Sequence, residues 1–579
     1  TVYYSRINGL SAGSGRWADG NNWSTDKVLT HEGAAAGAFP GINDIAVIGG
    51  RDSIFFLRDY TDPWITNNVD PHSSATLMIE RGSVLDIGYN TNSAFRIVLS
   101  HPNGNGNFRV TTSSTSGSTF AFPAGDFSDY NINLGSTELY STNPASGTTY
   151  WLPNGITRYG NLTISPLGGS NIIFPNNDLL IYGNLITRGQ NAGSWYCPTW
   201  NTNYPTAPAV PVAKTLTIQG NFEMQGGSLT YYNNNNLAMD FIVHGDLILA
   251  EECGIRAWLN ANNQSFAIGG SLINNANAPA GGFYGQDYNR GANFENIQLT
   301  FFGESTEYVT NTTNSAPYTS FGQVILDKGV SQVDSLIIDI DGTLNTSTND
   351  WLTLRNGTLK YARNNPSADF TISAATRFTI PSTAGLYIDY PNNSGNRNIL
   401  IANAAVNDND LFLEGKLTVV NGNVYIGPTN GTSNNNNDIE YSGGGAATID
   451  IQGGNLIVNG QIRRNPATTN GILKYYQNGG NLVINGLGAS ATTLQNGKLE
   501  VTNPGSVFNM SGGTITIVRG GGTTYGDLYI RAESSTVTGG EVIFTQTPAI
   551  GPEVDALQNY TLDANVALNN LTITGKITA

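Results

Sequence analysis

The sequence predicts an all-β protein whose fold class is a right-handed parallel β-helix (β-solenoid) with an N-terminal cap and irregular side loops. Three observations lead to this prediction: a repeated phrase, the alternation of apolar and polar residues within it, and a shortage of helix signals. The clearest copies of the phrase, apolar-x-(Ile/Val)-x-Gly-(Asn/Asp/Ser)-apolar, are LLIYGNL at 179–185, LTIQGNF at 216–222, FIVHGDL at 241–247 and FAIGGSL at 266–272. The last three copies lie 25 residues apart, and self-similarity at such a period is typical of a solenoid.

Each copy of the phrase predicts one rung of the solenoid. The alternation predicts a short strand, the glycine a corner, and the apolar residue after it a second strand. We expect glycine at the corner because a chain that passes between sheets needs either a positive φ or a close approach of two backbones. Asn and Asp beside the glycine tolerate the left-handed region and can hydrogen-bond the nearby backbone. Since one rung cannot bury its apolar face alone, the rungs are expected to stack into a continuous core.

The phrase and the composition divide the chain into three predicted segments. Residues 1–75 form an N-terminal cap and the first rungs, because a solenoid needs a unit that closes the end of its core. Residues 76–410 form a solenoid with long aromatic and Pro-rich side loops, chiefly at 194–211 and 281–296. Residues 411–579 form tighter, more regular rungs that we expect to continue beyond the fragment, with phrases LTVVNGNV from 417, IDIQGGNL from 449, YGDLYI from 525 and LTITGKI from 571.

The composition favours an exported protein. Only 12% of the residues are charged, against about 25% in typical globular domains, so hydroxyl and amide side chains carry most of the polarity. The 27 basic and 43 acidic residues give a net charge of −16, which argues against binding to nucleic acid or anionic membranes. No apolar stretch approaches the roughly 20 residues that span a bilayer. We therefore expect an extracellular, cell-surface location; the start at Thr1 fits either signal-peptide removal or a truncated fragment.

The two cysteines, Cys197 and Cys253, are too few for a disulfide-stapled scaffold. They could form one disulfide if they lie on neighbouring rungs in an oxidising compartment. The alternative is that both are buried thiols that act as small hydrophobic side chains.

The N-terminal segment carries a family resemblance. Trp17, Trp23 with Ser24, Pro40, and Asn43-Asp44-Ile45 before an apolar strand resemble the opening of large exported surface proteins of the Bacteroidota. Some of these are type IX secretion substrates, among them giant gliding-motility adhesins of the SprB type. The resemblance covers about 50 residues and implies a cell-surface adhesin or filament segment, with the export machinery and surface-attachment components as partners. It implies no catalytic residue.

Aromatic side chains in the predicted side loops form the first candidate site. Exposed rings on loops could present flat faces to the sugar rings of a polysaccharide or to another surface ligand. The alternative is that the same rings cover the side of the solenoid and pack against each other. The candidates for carbohydrate binding are Trp195, Tyr196, Trp200, Tyr204, Trp258, Tyr284 and Tyr288.

Calcium is the second candidate, as a structural ion, and no other cofactor is predicted. Asp339 and Asp341 alternate onto one face of a strand, while Asp408 and Asp410 belong to an oxygen-rich Asn-Asp-Asn-Asp run. Such oxygen ligands suit a hard cation. Neither group matches an EF-hand loop or the glycine-rich calcium repeat.

An enzyme is the alternative to an adhesin. A polysaccharide lyase or glycoside hydrolase on a β-helix would need paired carboxylates, or a basic residue with calcium, in one groove. The densest charged group near the aromatic loops is Glu251 and Glu252 beside Arg256, but adjacent strand residues face opposite ways and cannot act as a pair. The four histidines fit no Ser-His-Asp order and no HExxH motif. We therefore expect a structural or adhesive surface protein with no catalytic residues, and keep the enzyme as the alternative.

Overall fold

The computed structural model describes most of the chain and divides it into two compact units, Thr1–Ile297 and Gln298–Ala579. The boundary lies inside the predicted middle segment, and the limits of the three predicted segments remain predictions. The described residues are 1–6, 14–26, 33–56, 73–89, 93–112, 117–141, 148–166, 171–175, 177–188, 197–200, 213–231, 239–251, 253–257, 264–276, 291–311, 319–341, 344–363, 369–375, 377–391, 397–404, 409–429, 437–442, 446–465, 467–468, 470–486, 498–518, 527–545 and 560–574.

The described strands of the first unit form four stacks, in which each strand pairs in parallel with the strand of the next rung. Stack A contains Val2–Ser5, Ile45–Ile48, Ser73–Ile79, Ala94–Val98 and Ala124–Asp126, with the antiparallel strand Trp23–Ser24 at its edge. Stack B contains Ser14–Arg16, Ser53–Phe55, Val84–Asp86, Asn107–Thr111, Ser136–Tyr140, Asn161–Ser165, Leu185–Thr187, Phe222–Met224, Leu247–Leu249 and Leu272–Asn274. Stack C contains Ser118–Thr119, Thr149–Trp151, Asn171–Ile173, Cys197–Trp200, Ser228–Tyr231, Gly254–Ala257 and the start of Gly291–Phe301. Stack D contains Arg158–Tyr159, Leu179–Ile181, Lys214–Ile218, Met239–Val243 and Gln264–Ile268.

The second unit also forms four stacks of parallel strands. Stack E contains Glu307–Asn311, Ser335–Ile340, Leu352–Arg363, Ala384–Asp389, Lys416–Asn421, Ala446–Ile451, Ile472–Gln477, Val507–Met510 and Ser534–Val537. Stack F contains Thr319–Asp327 and Leu344–Thr346, and Leu352–Arg363 also pairs with the first of them. Stack G contains Phe370–Thr371, Asn398–Ile401, Asn423–Ile426, Asn455–Val458, Asn481–Ile484, Thr514–Ile517, Glu541–Phe544 and Asn570–Ile573. Stack H contains Phe378–Ile380, Leu411–Leu413, Ile439–Tyr441, Ile462–Arg464, Leu499–Val501, Leu528–Ile530 and Leu562–Ala564.

These stacks confirm the predicted fold class, an all-β chain in long parallel sheets of the β-solenoid type. Helical structure among the described residues is confined to the α-helix Ser128–Ile132 and the 3-10 turn Gly20–Asn22. The alternation read from the sequence places one residue of every pair in the core. Leu216, Phe241 and Phe266 are successive register partners in stack D and are fully buried. The rings of the two phenylalanines stack with centroids 4.8 Å apart, so the 25-residue period is one turn of the solenoid.

Two buried tryptophans lie in the first described rung of the N-terminal segment. Trp17 and Trp23 are both fully buried, and their rings meet edge to face with centroids 4.9 Å apart. The Trp23 indole Nε1 donates to the Trp17 carbonyl at 2.8 Å, and the Trp17 Nε1 donates to the Pro40 carbonyl at 3.2 Å. Strand Trp23–Ser24 pairs antiparallel at the edge of stack A, through Tyr4 with Ser24. Large buried rings whose N–H groups find partners are well suited to cover the end of a core.

The Gly-Asn corner of the repeated phrase is a ladder of side-chain hydrogen bonds. The Oδ1 atoms of Asn161, Asn184, Asn221 and Asp246 each accept a hydrogen bond from the backbone N–H of the equivalent residue one rung later, at 2.8 to 2.9 Å. A Cβ added at the preceding glycine, such as Gly220, would stand 2.2 Å from the Asn184 Oδ1. Of the two expected reasons for glycine, close approach is therefore the one that applies here, and the neighbour it approaches is the amide of the previous rung.

Candidate functional site

The predicted aromatic platform lies almost entirely outside the described residues. This holds for Trp195, Tyr196, Tyr204, Trp258, Tyr284 and Tyr288. Only the backbone of Trp200 is described, at the end of strand Cys197–Trp200, where it pairs in register with Tyr231. Strand Cys197–Trp200 belongs to stack C, so this part of the segment 194–211, predicted as a side loop, lies in a rung of the solenoid. Carbohydrate binding by these residues stays a prediction.

Two of the predicted calcium ligands contact an arginine. Asp339 Oδ1 lies 2.7 Å from the Arg363 Nε, and an oxygen of Asp341 is in contact with the Nη1 of the same arginine. Both carboxylates thus share one face, as the alternation predicts, and one guanidinium joins them. Asp408 lies outside the described residues, and within the described ranges no group of three or more His, Cys, Asp or Glu side chains is placed to hold a metal ion. Calcium binding by Asp339, Asp341, Asp408 and Asp410 remains untested.

The predicted disulfide depends on how far apart the two cysteines lie. Strand Cys197–Trp200 pairs with Ser228–Tyr231, which pairs in turn with Gly254–Ala257, the strand that follows Cys253. Their backbones are therefore two strand spacings apart, about 10 Å, whereas a disulfide joins Cα atoms less than about 7 Å apart. Cys253 itself is buried, and its Sγ lies 3.0 Å from the Met224 carbonyl. This register does not favour the pairing, which stays a prediction.

The charged side chains that the structure does bring together form two clusters, and of their members sequence reasoning named only Asp410. The first, called the Arg109 cluster, consists of Asp86, Arg109, Glu138 and Tyr140 on the outer face of stack B. Asp86, Arg109 and Glu138 are register partners on three successive strands. The Arg109 Nη1 lies 3.0 Å from Asp86 Oδ2, and its Nε lies 2.9 Å from Glu138 Oε2. One guanidinium therefore bridges three rungs.

Tyr140 completes the Arg109 cluster, because its hydroxyl contacts Asp86 and its ring contacts Arg109. The Tyr140 hydroxyl donates to the two carboxylate oxygens of Asp86 at 2.8 and 2.9 Å. The Cζ atom of Arg109 lies 4.3 Å from the centroid of the Tyr140 ring. Burial raises the pKa of Asp86, although Arg109 and Tyr140 both favour the carboxylate. Burial alone would lower the pKa of Arg109, but the two carboxylates outweigh it and raise that pKa. The pKa of Tyr140 is raised by burial and by Asp86, so its phenol stays protonated and donates.

The second group, called the Asp438 cluster, consists of Asp410, Asp438, Glu440 and Arg463 in stack H and at its edge. Arg463 reaches both acids of the previous rung, with its Nε 2.7 Å from Asp438 Oδ2 and its Nη2 3.1 Å from Glu440 Oε1. The first contact is a close ion pair between two buried groups. We therefore regard it as a charge contact. All four side chains are buried.

Carboxylates form the corner ladder in the Asp438 cluster where amides form it in the first unit. Asp410 Oδ1 accepts from the Asp438 N–H at 2.8 Å, and Asp438 Oδ1 accepts from the Gln461 N–H at 2.6 Å. Burial and the neighbouring Asp438 raise the pKa of Asp410 to about 7. The pKa of Asp438 is also raised by burial, against the opposing effect of Arg463. Asp410 is therefore close to half protonated near neutral pH.

Ion pairs between different rungs occur in both clusters and recur among the other described residues. Each ion pair identified there joins strands of different rungs. Besides the two clusters and Arg363, the pairs are Thr1 with Asp44, Arg355 with Asp327, Arg377 with Glu440, Lys416 with Asp450, Arg464 with Glu500 and Arg531 with Asp563. Chemically, these groups neutralise one another along the solenoid axis. They cross-link rungs. Opposite charges at equal rung positions are the signal for such pairs, and this signal can be read only where the repeated phrase gives the register.

Within the described ranges, no helix is long and apolar enough to cross a bilayer. No protein-family model matches the chain, and neither a curated protein nor a solved structure matches it.

Proposed function

We propose that this chain is an extracellular structural and adhesive protein, a rigid β-solenoid stalk or adhesin module at the cell surface. The observation that carries this proposal is that the polar groups of the described surface bond from rung to rung rather than converge on an open groove. Backbone pairing, the Asn/Asp ladder and the ion pairs all act between neighbouring rungs. A repeat array in which each unit is bonded to its neighbours is stiff and opens only with the loss of several interactions at once.

The adhesive part of the proposal rests on the side loops and the composition. The segments 194–211 and 281–296 are rich in aromatic residues, and rings on loops are suited to stack on sugars. The low charge and the net charge of −16 fit an exported protein that faces polysaccharide rather than nucleic acid. The opening of the chain resembles Bacteroidota type IX substrates of the gliding-motility adhesin type, and we propose that export machinery and surface-attachment components are further partners.

A carbohydrate-active enzyme is the second candidate, because one observation favours it. The pKa of about 7 at Asp410 is the value that a general acid needs near neutral pH, and Asp438 supplies a second carboxylate on the next rung. Asp410 is only 5% exposed, however, and one of its oxygens accepts the Asp438 N–H. A proton donor that reaches substrate must be accessible, so the structural role is better supported.

A glycan-array screen of the purified chain, with and without calcium, tests both candidates when a reducing-sugar release assay is run on the hits. Binding without release, weakened by Trp195→Ala and Trp200→Ala, is the expected result. Trp351→Phe is the matched control, because Trp351 is buried in the second unit and should leave binding unchanged. Release of sugar that Asp410→Asn abolishes would establish the enzyme instead. If the chain neither bound a glycan nor released sugar, the adhesive role would be contradicted and a role as a structural spacer would remain.

A further inference from the structure

One outer column of stack E carries a tyrosine on every third strand. Tyr308, Tyr387 and Tyr476 lie in a single line of register partners, with two strands between each tyrosine and the next. Neighbouring strands are about 4.8 Å apart, so the three positions recur at intervals of about 14 Å. Alternation with buried neighbours turns these rings outward. Tyr308 is 43% exposed, and the other two are half-buried.

Lysines accompany the rings. Lys360 lies one strand before Tyr387 in the same column, and its Nζ is 5.8 Å from the centroid of the Tyr387 ring. Lys416 and Lys474 lie in the adjacent outer column, and Lys474 shares a strand with Tyr476. The chain has eight lysines in all, so three on one sheet face are a local concentration of positive charge. This surface is called the Tyr-Lys face and consists of Tyr308, Lys360, Tyr387, Lys416, Lys474 and Tyr476.

Two of these lysines stand outside the ion pairs of the solenoid. The register neighbours of Lys360 and Lys474 are all uncharged, and neither lysine belongs to an ion pair identified among the described residues. Lys416 differs, because its Nζ lies 2.9 Å from Asp450 Oδ2. Asp389, at the edge of the face, accepts a hydrogen bond from a side-chain amide at 2.6 Å. The face therefore offers two lysine charges to a ligand.

We propose that the Tyr-Lys face binds a linear anionic polysaccharide, with carboxylate or sulfate groups, that lies along the solenoid axis across the strands of stack E. A tyrosine ring can stack on a sugar and loses little conformational entropy when it does so. A polymer repeats its contacts at a fixed interval, as the rings of this face do. The lysines beside the rings can pair with the acidic groups of the polymer.

The charge of the whole chain favours this one face. The net charge is −16, so most of the surface repels an anionic polymer, and a local positive patch steers the polymer to itself. Polymer length should also matter, because only a chain that passes several rings can use them together. This inference rests on the proposed adhesive function. It adds a site in the second unit to the predicted side loops 194–211 and 281–296, which belong to the first.

Biolayer interferometry of the full chain on immobilised polygalacturonate, dextran sulfate and unmodified dextran tests the inference. Polygalacturonate provides carboxylates, dextran sulfate provides sulfates, and dextran is the uncharged control. We expect binding to one or both anionic polymers, with about tenfold weaker binding to dextran and a loss of affinity as salt is added. Galacturonate disaccharide should compete poorly, because it reaches one ring only.

Matched variants locate the site. Tyr387→Ala, Tyr476→Ala and Lys474→Gln should each weaken binding about fivefold, because one ring or charge contact is lost. Tyr529→Ala and Arg355→Gln are the controls and should leave binding unchanged. Tyr529 is a half-buried outward ring in stack H, and the Arg355 side chain is 56% exposed. Thermal melts check that all five variants are folded.

The outcomes separate this inference from the adhesive function on which it rests. If the variants of the face bind like the parent chain while Trp195→Ala abolishes binding, the inference is overturned and the adhesive function stays with the loops. A parent chain that binds none of the three polymers also overturns the inference, whereas glycan-array hits of another chemistry would still support adhesion. Equal binding to dextran and dextran sulfate would overturn the assignment of an anionic ligand.

Discussion

The Oδ1 atom of Asn184 accepts a hydrogen bond of 2.8 Å from the backbone N–H of Asn221, its equivalent one rung later. This bond satisfies a donor at a corner where the chain leaves one strand and has not begun the next. The same relationship recurs on successive rungs and, with carboxylates, in the second unit. It makes each corner depend on the side chain of the rung before it.

We predict that Asn184→Ala destabilises the first unit while Asn184→Asp is tolerated. Alanine leaves the Asn221 N–H without its acceptor, which costs about 1 to 2 kcal/mol for a partly buried donor. Aspartate keeps an acceptor oxygen, and Asp246 already has this role two rungs later. Urea unfolding followed by circular dichroism measures both variants. Equal stability of the alanine and aspartate variants would show that the side-chain bond does not hold the corner.

We predict that Gly220→Ala is far more damaging than its small size suggests. The new methyl group would stand 2.2 Å from the Asn184 Oδ1 and 2.8 Å from the Gly183 backbone, so two rungs would have to separate. Overpacking of this kind costs about 3 kcal/mol or more. Gly41→Ala is the control, because the nearest atom to its Cβ would be an Asp44 oxygen at 3.5 Å. Thermal melts of the two variants should differ by several degrees, and similar melts would contradict the close-approach explanation.

We predict that Arg109→Gln destabilises the first unit by about 2 kcal/mol at neutral pH, because Asp86 and Glu138 lose their shared cation. The loss should shrink as the pH falls, because burial raises the pKa of Asp86 and a protonated Asp86 no longer needs the cation. Arg355→Gln is the matched control, because the Arg355 side chain is 56% exposed and lies 3.7 Å from Asp327. Such exposed pairs contribute close to nothing. Chemical unfolding at pH 7 and pH 3.5 distinguishes the two variants, and a pH-independent loss at Arg109 would rule out the electrostatic explanation.

We predict that Asp410→Asn stabilises the second unit above pH 7 and leaves its stability almost unchanged near pH 3.5. The pKa of Asp410 is raised from 3.8 to about 7 in the folded chain, so the folded state holds its proton more tightly than the unfolded state. Stability conferred by that proton is present at low pH and falls as pH rises from about 4 to 7.

Asparagine keeps the acceptor for the Asp438 N–H and carries no charge. The gain at pH 8 should therefore be on the order of 2 kcal/mol. Asp438, whose pKa is raised in the same direction, should leave part of the pH dependence in place. Unfolding free energies of both proteins across pH 3.5 to 8 provide the measurement. A variant less stable than the parent at pH 8 would mean that the Asp410 carboxylate is needed in its ionised form.

The sequence predicted the fold because its period and alternation are direct consequences of rung geometry. Leu216, Phe241 and Phe266, which are spaced by 25 residues, stack on one another as a column in the core. The Gly-Asn pair of the phrase forms the corner. The Arg109 cluster could not be found in this way. Asp86, Arg109 and Glu138 lie where the repeated phrase is lost, so nothing in the sequence showed that they share a register column.

The candidate binding residues were the least predictable part of the molecule. Trp195 lies outside the described residues, in a segment without the repeated phrase, so composition could name it but could not place it. The charges of the Asp438 cluster lie within regular rungs, yet their burial depends on side-chain packing that alternation does not specify. The oxygen-rich run predicts Asp410 as a calcium ligand, and the structure places it one rung from Asp438 and two rungs from Arg463.

Mechanical unfolding of the whole chain tests the structural role most directly. The chain would be held by its two ends in an optical trap, in series with a globular domain of known unfolding force. A stalk bonded from rung to rung should stay folded while the reference domain opens, and should then unfold in steps of one or a few rungs. Gly220→Ala should lower the force at which the first unit opens. Unfolding of the solenoid before the reference domain, in one continuous extension, would contradict the proposed role as a rigid surface stalk.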